Sequence, residues 1–145
     1  MSLEEMLLRD ELRSENTTSG EIERLLDAIG RRLDDAGNET NHPETRLDQA
    51  YHAILNCALV GLRALDLRPS DRRGHHIVIL ESLTDTLGTD PQRVDYFQTL
   101  RDLRNKDLYT GGTRASVQQA EEACEEAWVL RDELMEWLKR REPAT

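Results

Sequence analysis

The segment with the most distinctive polar chemistry runs from Tyr96 to Tyr109. At about 100° per residue of α-helix, Arg101, Asn105 and Tyr109 fall on one stripe, and Arg104 flanks that stripe. Two guanidinium groups, an amide and a phenol would then lie together near a helix end that is followed by a glycine pair. Because guanidinium groups bind phosphate oxygens in a bidentate geometry, this pattern predicts a phosphate-binding face.

Basic residues on and before this helix extend the candidate site, and a simpler interpretation of the helix stays open. The candidate phosphate-binding residues are Arg101, Arg104, Lys106, Arg72, Arg73 and His75. In the simpler interpretation, the polar side chains form only a solvated surface. Charges four residues apart would pair there, such as Lys106 with Asp102.

The adjacent histidines His75 and His76 raise the question of a metal site. Adjacent residues of a helix point about 100° apart and cannot easily share one ion. The positions that could complete a ligand set on the next turn hold Ile79 and Leu80. No metal is therefore expected. We expect His76 to pack toward the bundle near Leu80, and His52 to be an interior or interface histidine.

Charge is distributed unevenly along the 145 residues, whose formal net charge is −10. Residues 1–45 hold five basic and twelve acidic side chains, and residues 115–145 hold four and eight. The middle segment, residues 46–114, holds ten basic and nine acidic side chains. Non-specific binding of nucleic acid depends on neutralising phosphates, so an acidic chain disfavours it. Any anion site must be a local arginine cluster in the middle segment.

Composition and cysteine usage indicate one compact domain in a reducing compartment. No apolar run approaches the roughly 20 residues of a membrane span, and the acidic first segment is unlike a signal peptide. Cys57 and Cys124 lie in apolar stretches without a CxxC partner, so no disulfide framework or cysteine zinc site is expected. We expect a cytoplasmic protein with no membrane association and no cofactor.

The elements that must position these residues are helices, because helical periodicity dominates and strand alternation is absent. One helix is predicted from Ser19 to Gly37, and a central, most buried helix from Pro43 to Leu65. Further helices are predicted over 73–87, 91–109 and 116–141. Short connections between them favour antiparallel neighbours. The predicted fold is an all-α, up-and-down antiparallel bundle of five core helices plus an N-terminal helix.

The domain organisation follows from the same pattern. Residues 1–17 are predicted to form an N-terminal helix or arm, either mobile or docked on a partner. Residues 18–141 are predicted to form the bundle, and residues 142–145 a tail.

The sequence Arg104-Asn105-Lys106-Asp107-Leu108-Tyr109 resembles the signature helix of the HEPN superfamily, a group of small α-helical nucleotide-binding domains. That signature is an arginine, a polar residue, three further residues and a histidine. The upstream stretches Ala50-Tyr51-His52-Ala53 and Gly74-His75-His76-Ile77 also fit, and the resemblance covers residues 19–140. It implies a HEPN-like bundle that forms a homodimer around a cleft shared by two copies of the motif.

The resemblance also implies function. Many HEPN proteins are metal-independent RNases of defence and toxin–antitoxin systems, often paired with a small nucleotidyltransferase antitoxin. Arg104 matches the arginine, which would stabilise charge on the reacting phosphate, and Asn105 matches the polar residue. Tyr109 occupies the histidine position. The implied catalytic residues are therefore Arg104, Asn105 and Tyr109.

Tyr109 differs from the histidine of the HEPN signature, and this difference decides between RNA cleavage and binding alone. The ordinary pKa of tyrosine is near 10, against about 6.5 for histidine, so tyrosine is a poor base at neutral pH. It can still act as an acid or as a hydrogen-bond donor, or simply as a half-buried helix-end residue. We therefore expect nucleotide or RNA binding at a dimer cleft, with weak or no catalysis. A metal-independent endoribonuclease toxin and a structural bundle without a ligand are the alternatives.

Overall fold

The computed structural model describes residues 2–71, 74–110 and 115–141, and only the backbone of residues 107–110. In chain order the elements are α1 (Leu3–Leu8), β1 (Leu12–Ser14), α2 (Ser19–Gly37), α3 (Pro43–Ala64), β2 (Leu67–Pro69), α4 (His75–Glu81), α5 (Leu83–Thr86), α6 (Pro91–Thr110) and α7 (Val117–Arg141). The predicted all-α helical bundle is confirmed.

Helix α3 is the centre of the bundle, as its apolar composition predicts. It begins with Pro43 at its first turn, and nearly every residue from Ala53 to Arg63 is buried. Helices α2, α4, α6 and α7 all pack against it. A helix that is apolar on most of its circumference must be covered on all sides, and these neighbours provide that cover.

The flanking helices begin and end where local sequence signals place them. Helix α2 spans the predicted range, and α6 begins after Asp90, whose Oδ1 accepts a hydrogen bond from the Gln92 amide at 2.8 Å. Ser116 precedes α7 and exchanges hydrogen bonds with Gln119, its backbone N–H donating to Oε1 at 2.9 Å and its Oγ accepting from the Gln119 amide at 3.0 Å. This reciprocal cap satisfies two backbone donors at the helix start.

The helix predicted over 73–87 is divided at Ser82 into α4 and α5. The buried Ser82 hydroxyl donates to the Ile79 carbonyl at 2.6 Å, a local bond of the kind that competes with regular helical bonding. Gly88 then ends α5 with a φ of 77°, and its amide donates to the Leu83 carbonyl at 3.1 Å. Glycine adopts this left-handed conformation without steric cost.

A short antiparallel sheet formed by β1 and β2 is the element that sequence reasoning missed. Leu12 lies opposite Pro69, Arg13 opposite Arg68, and Ser14 opposite Leu67. The N-terminal segment is docked on its own bundle, since Met6 is 1% exposed and Leu12 is 2% exposed. Three-residue strands are too short to show alternation, so the pattern gave no signal.

Candidate functional site

Helix α6 positions the predicted arginines against the central helix. Phe97 and Leu100 are buried in the core. Arg101 and Arg104 lie at its margin, with side chains about one fifth to one quarter exposed. The guanidinium carbon of Arg104 lies 6.0 Å from the ring centroid of Tyr51, a fully buried residue of α3. Arg104 therefore meets α3 at one buried aromatic ring.

Two polar contacts fix the orientation of the Arg104 guanidinium. Its Nε donates to Asp48 Oδ1 at 2.9 Å, and its Nη1 donates to Asn105 Oδ1 at 3.4 Å. These contacts use two of the five N–H groups of the side chain. Asn105, which the motif places next to Arg104, therefore contacts the arginine directly.

Asp48 connects Arg104 to His52. The His52 Nδ1 lies 2.9 Å from the Asp48 backbone carbonyl and 3.4 Å from its Oδ1. Burial alone would raise the pKa of Asp48, but hydrogen bonds from His52 and Arg104, with their positive charges, hold that pKa below its usual value. Asp48 is therefore a carboxylate at neutral pH and orients both a guanidinium and an imidazole.

His76 of α4 completes the group from the other side of Tyr51. The Tyr51 hydroxyl lies 3.2 Å from His76 Nδ1. Burial raises the pKa of Tyr51 to about 12, while the nearby Arg101 and Arg104 oppose that change. Burial also lowers the pKa of His76 to about 4, helped by the positive charges of His75, Arg104, His52 and Arg101. A protonated phenol and a neutral imidazole therefore share this hydrogen bond at pH 7.

Gln98 links α6 to α4 through hydrogen bonds. Arg101 Nε donates to Gln98 Oε1 at 3.0 Å, and Gln98 Nε2 donates to the Ile77 carbonyl at 3.1 Å. Arg101 also pairs with the exposed Asp102 carboxylate at 3.1 Å. Together these contacts define the Tyr51 cluster, which consists of Asp48, Tyr51, His52, His76, Arg101 and Arg104.

A cleft of about 260 Å³ opens beside the cluster, lined by Asp48 and Arg104 together with Glu44, Thr45 and Ala115. It lies where the first turns of α3 meet α6 and the residue before the α7 cap. Two acidic residues share this wall with one arginine, so Arg104 is the only cation that the described lining offers to an anion here.

The structure separates one predicted site residue from the others. Lys106 lines a second cleft between α6 and α7, of about 520 Å³, together with Tyr96, Asp102 and Glu122. Arg72 and Arg73 lie outside the described residues, and so does the side chain of Tyr109. Arg101, Arg104 and Asn105 share one region of α6, and His75 lies beside His76 with ring centroids 4.8 Å apart.

Tyr51 and Asp48 were missed as site residues, and His52 and His76 were assigned only packing roles. The sequence does carry a signal for Asp48, Tyr51 and His52, because their spacing places them on one face of α3. His76 carried no such signal, because its approach to Tyr51 depends on how α4 crosses α3. Its predicted orientation toward the bundle is consistent with its partly buried position.

Comparisons of the chain with protein-family models, with curated proteins and with solved structures gave no match. The HEPN resemblance thus rests on the quoted residues alone. Within the described ranges, no group of three histidine, cysteine, aspartate or glutamate side chains is placed to hold a metal ion. No helix among the described residues combines the length and apolar character needed to cross a membrane.

Proposed function

We propose that this protein binds a nucleotide or RNA through its phosphate at the Tyr51 cluster, with weak or no turnover. The observation that carries this proposal is the approach of two guanidinium groups to one buried tyrosine that also lies against the imidazoles of His52 and His76. This arrangement stands out on a chain with a net charge of −10. His76 is uncharged at pH 7, so the two guanidinium groups are what would attract a phosphate to this acidic protein.

Preorganisation supports the proposal. Asp48 and Asn105 hold Arg104 in place, and Gln98 holds Arg101. An arginine that is already oriented loses less conformational entropy when it binds a phosphate. The Arg101–Asp102 pair does not cancel this charge, because the Asp102 side chain is 61% exposed and exposed ion pairs are weak in water.

Replacing Arg104 with alanine should weaken nucleotide binding by about tenfold or more, because a charge-assisted hydrogen bond to phosphate is lost. The double variant Arg101→Ala, Arg104→Ala should lose binding altogether. Titration calorimetry with adenosine and uridine monophosphates measures both. Arg140→Ala, which removes an equal charge from an exposed position of α7, is the matched control. Unchanged affinity in the double variant would place the site elsewhere and favour a bundle without a ligand.

A metal-independent endoribonuclease is the second candidate, and the neutral imidazole of His76 beside Arg104 favours it. In this reaction a base removes the proton from the ribose 2′-hydroxyl, whose oxygen attacks the adjacent phosphorus. The 5′-oxygen leaves with a proton from an acid, which yields a 2′,3′-cyclic phosphate and a 5′-hydroxyl. His76 is unprotonated at pH 7 and can accept the proton, while an arginine stabilises charge on the phosphate oxygens.

The cellular setting follows from the resemblance and is part of the same proposal. A cytoplasmic RNase-like protein of this kind would pair with a small nucleotidyltransferase antitoxin. An adjacent gene for such a nucleotidyltransferase would favour the toxin–antitoxin setting over a free-standing binding protein.

The homodimer that the resemblance implies has a suitable surface on α7. Val117, Trp128 and Met135 are 54%, 42% and 36% exposed and fall on one face of this helix. We expect light scattering at tens of micromolar to return twice the chain mass of 16.7 kDa. Trp128→Glu should return the single-chain mass, whereas Gln118→Glu, which adds the same charge off this face, should not. A wild-type protein that scatters as one chain would contradict the dimer.

A further inference from the structure

A groove of about 300 Å³ lies between the two-stranded sheet and helices α3 and α4. The polar residues that line it are Arg13 and Arg68 from the sheet, Asp71 from the loop after β2, Asn56 from α3, and His75 and His76 from α4. We call this feature the hairpin groove. The groove residues come from the sheet, from the loop after it and from α3 and α4, and none of them belongs to the motif helix α6.

His76 is shared by the hairpin groove and the Tyr51 cluster. Its ring lines the groove, and its Nδ1 lies 3.2 Å from the Tyr51 hydroxyl. The guanidinium carbon of Arg104 lies 6.0 Å from the centroid of the same Tyr51 ring. Tyr51 therefore links Arg104 of α6 to the α4 histidine that lines the groove.

The two sheet arginines differ in how they are neutralised. Arg13 lies directly opposite Arg68 across the strand pair, an arrangement in which like charges repel. Arg68 is compensated by ion pairs with Glu15 and Glu21. Arg13 is exposed, and within the described part of the chain it has no ion-pair partner. Of the two sheet arginines, Arg13 is therefore the one available to an anion, which must approach it away from the Asp71 carboxylate.

Asn56 adds a neutral donor to the same wall. Arg32 Nε donates to Asn56 Oδ1 at 3.0 Å and fixes the amide orientation. The donors of this side chain then lie on its Nδ2 side, where they can bond an acceptor such as a ribose hydroxyl or a base oxygen. The imidazole of His75 is exposed at the mouth of the groove, and imidazole rings are among those on which unstacked bases stack.

We propose that the hairpin groove is a second subsite and that the ligand is a single-stranded oligonucleotide running from Arg104 past His76 to Arg13. This inference rests on the proposed function and deepens it. A strand carries several phosphates and can reach both Arg104 and Arg13, whereas a mononucleotide engages only one of them. A duplex would bring many more phosphates against a chain with a net charge of −10, which disfavours it.

Fluorescence anisotropy with a labelled uridine octanucleotide, and calorimetry with uridine monophosphate, test the proposal. Arg13→Ala should weaken octanucleotide binding by about tenfold. It should also reduce the slope of log affinity against log salt by about 0.7, the contribution of one phosphate contact on a single strand. Uridine monophosphate should bind this variant as it binds the wild type. Arg140→Ala is the charge-matched control.

Arg13→Glu separates loss of binding from loss of the sheet. Glutamate at this position pairs with Arg68 across the strands, so the sheet is kept while octanucleotide binding falls further. Octanucleotide affinity and salt slope that do not change in either Arg13 variant would overturn the second subsite while leaving the proposed function intact. Octanucleotide binding that does not respond to Arg104→Ala would overturn both.

Discussion

Replacing Arg63 with alanine should lower the free energy of unfolding by about 3–5 kcal/mol, the usual cost of removing one partner of a buried ionic network. The Arg63 side chain is 0% exposed. Its Nε and Nη2 each donate to the Glu21 carboxylate at 3.1 Å, and its Nη1 donates to the carbonyls of Glu15 and Leu67 at 3.1 and 3.0 Å. Alanine would remove this donor from the Glu15 and Leu67 carbonyls and leave the Glu21 carboxylate with Arg68 alone.

The large effect is expected because Arg63 joins three parts of the chain. It extends from the last turn of α3 to the end of β1, to β2 and to the first turn of α2. Glu15 and Glu21 also bind Arg68, so the network holds the sheet that carries Arg13. Without Arg63 the docked N-terminal segment should become a site of rapid proteolysis.

Urea unfolding followed by circular dichroism measures this change, with two comparison variants. The free energy of unfolding of the Arg63→Lys variant should lie between those of Arg63→Ala and the wild type, because an ammonium group cannot bind the Glu21 carboxylate in a bidentate geometry. Arg31→Ala removes an exposed arginine that pairs with Asp27 within α2, and should cost no more than about 0.5 kcal/mol. If Arg63→Ala destabilises no more than Arg31→Ala, the buried network is not what holds the sheet.

The helices were predictable because their signals are local. Gly37 ends α2 and Pro43 begins α3 where composition places them, and Asp90 caps α6. The all-round apolar stretch after Ala53 identified the central helix without knowledge of its neighbours. Capping and periodicity each depend on a few adjacent residues, and one sequence contains all of that information.

The sheet was not predictable for the opposite reason. Strand β1 pairs with a segment more than fifty residues away, and its position is fixed by Arg63, whose partners Glu15 and Glu21 are 48 and 42 residues away in sequence. In sequence, Arg63 is one more arginine in the last turn of a helix. Only the fold shows that it is fully buried.

The candidate site also contains some residues that local spacing predicts and others that only the packing of helices brings together. Arg101, Arg104 and Asn105 lie on one helix, so their spacing sufficed to group them. Tyr51 and His76 join that group because α3, α4 and α6 meet at one place. Their shifted pKa values are products of that burial, and no spacing in the sequence encodes the depth at which a side chain lies.

Wild-type RNA cleavage should be weak or absent, and Tyr109→His should raise it by up to about 10²–10⁴, the usual effect of a general base. Histidine titrates near neutral pH and tyrosine does not, so the substitution restores the motif residue that the resemblance implies. A labelled oligonucleotide assay without added metal measures the rate, and the products should carry a 2′,3′-cyclic phosphate. Tyr109→Phe is the control, since it removes only the hydroxyl and should abolish activity if that group takes part.

His76→Gln separates the two candidate bases. If His76 is the base, this variant should lose whatever cleavage the wild type has, by about 10²–10⁴, while keeping nucleotide binding through Arg104. The charged and titratable groups around the ring are His75 on α4, Arg101 and Arg104 on α6, Tyr51 and His52 on α3, and Arg13, Arg68 and Asp71 at the hairpin groove. Because burial and the charges of His75, Arg104, His52 and Arg101 lower its pKa to about 4, wild-type cleavage should rise with pH through that value and then stay level.

The pH profile of the Tyr109→His variant should differ, with an added rise near pH 6.5 from an ordinary imidazole. The two profiles therefore report which base is acting even where the rates are similar. Should Tyr109→His, Tyr109→Phe and His76→Gln all match the wild type in cleavage, the endoribonuclease candidate fails. Arg104-dependent nucleotide binding in the same preparations would then leave binding as the function of the Tyr51 cluster.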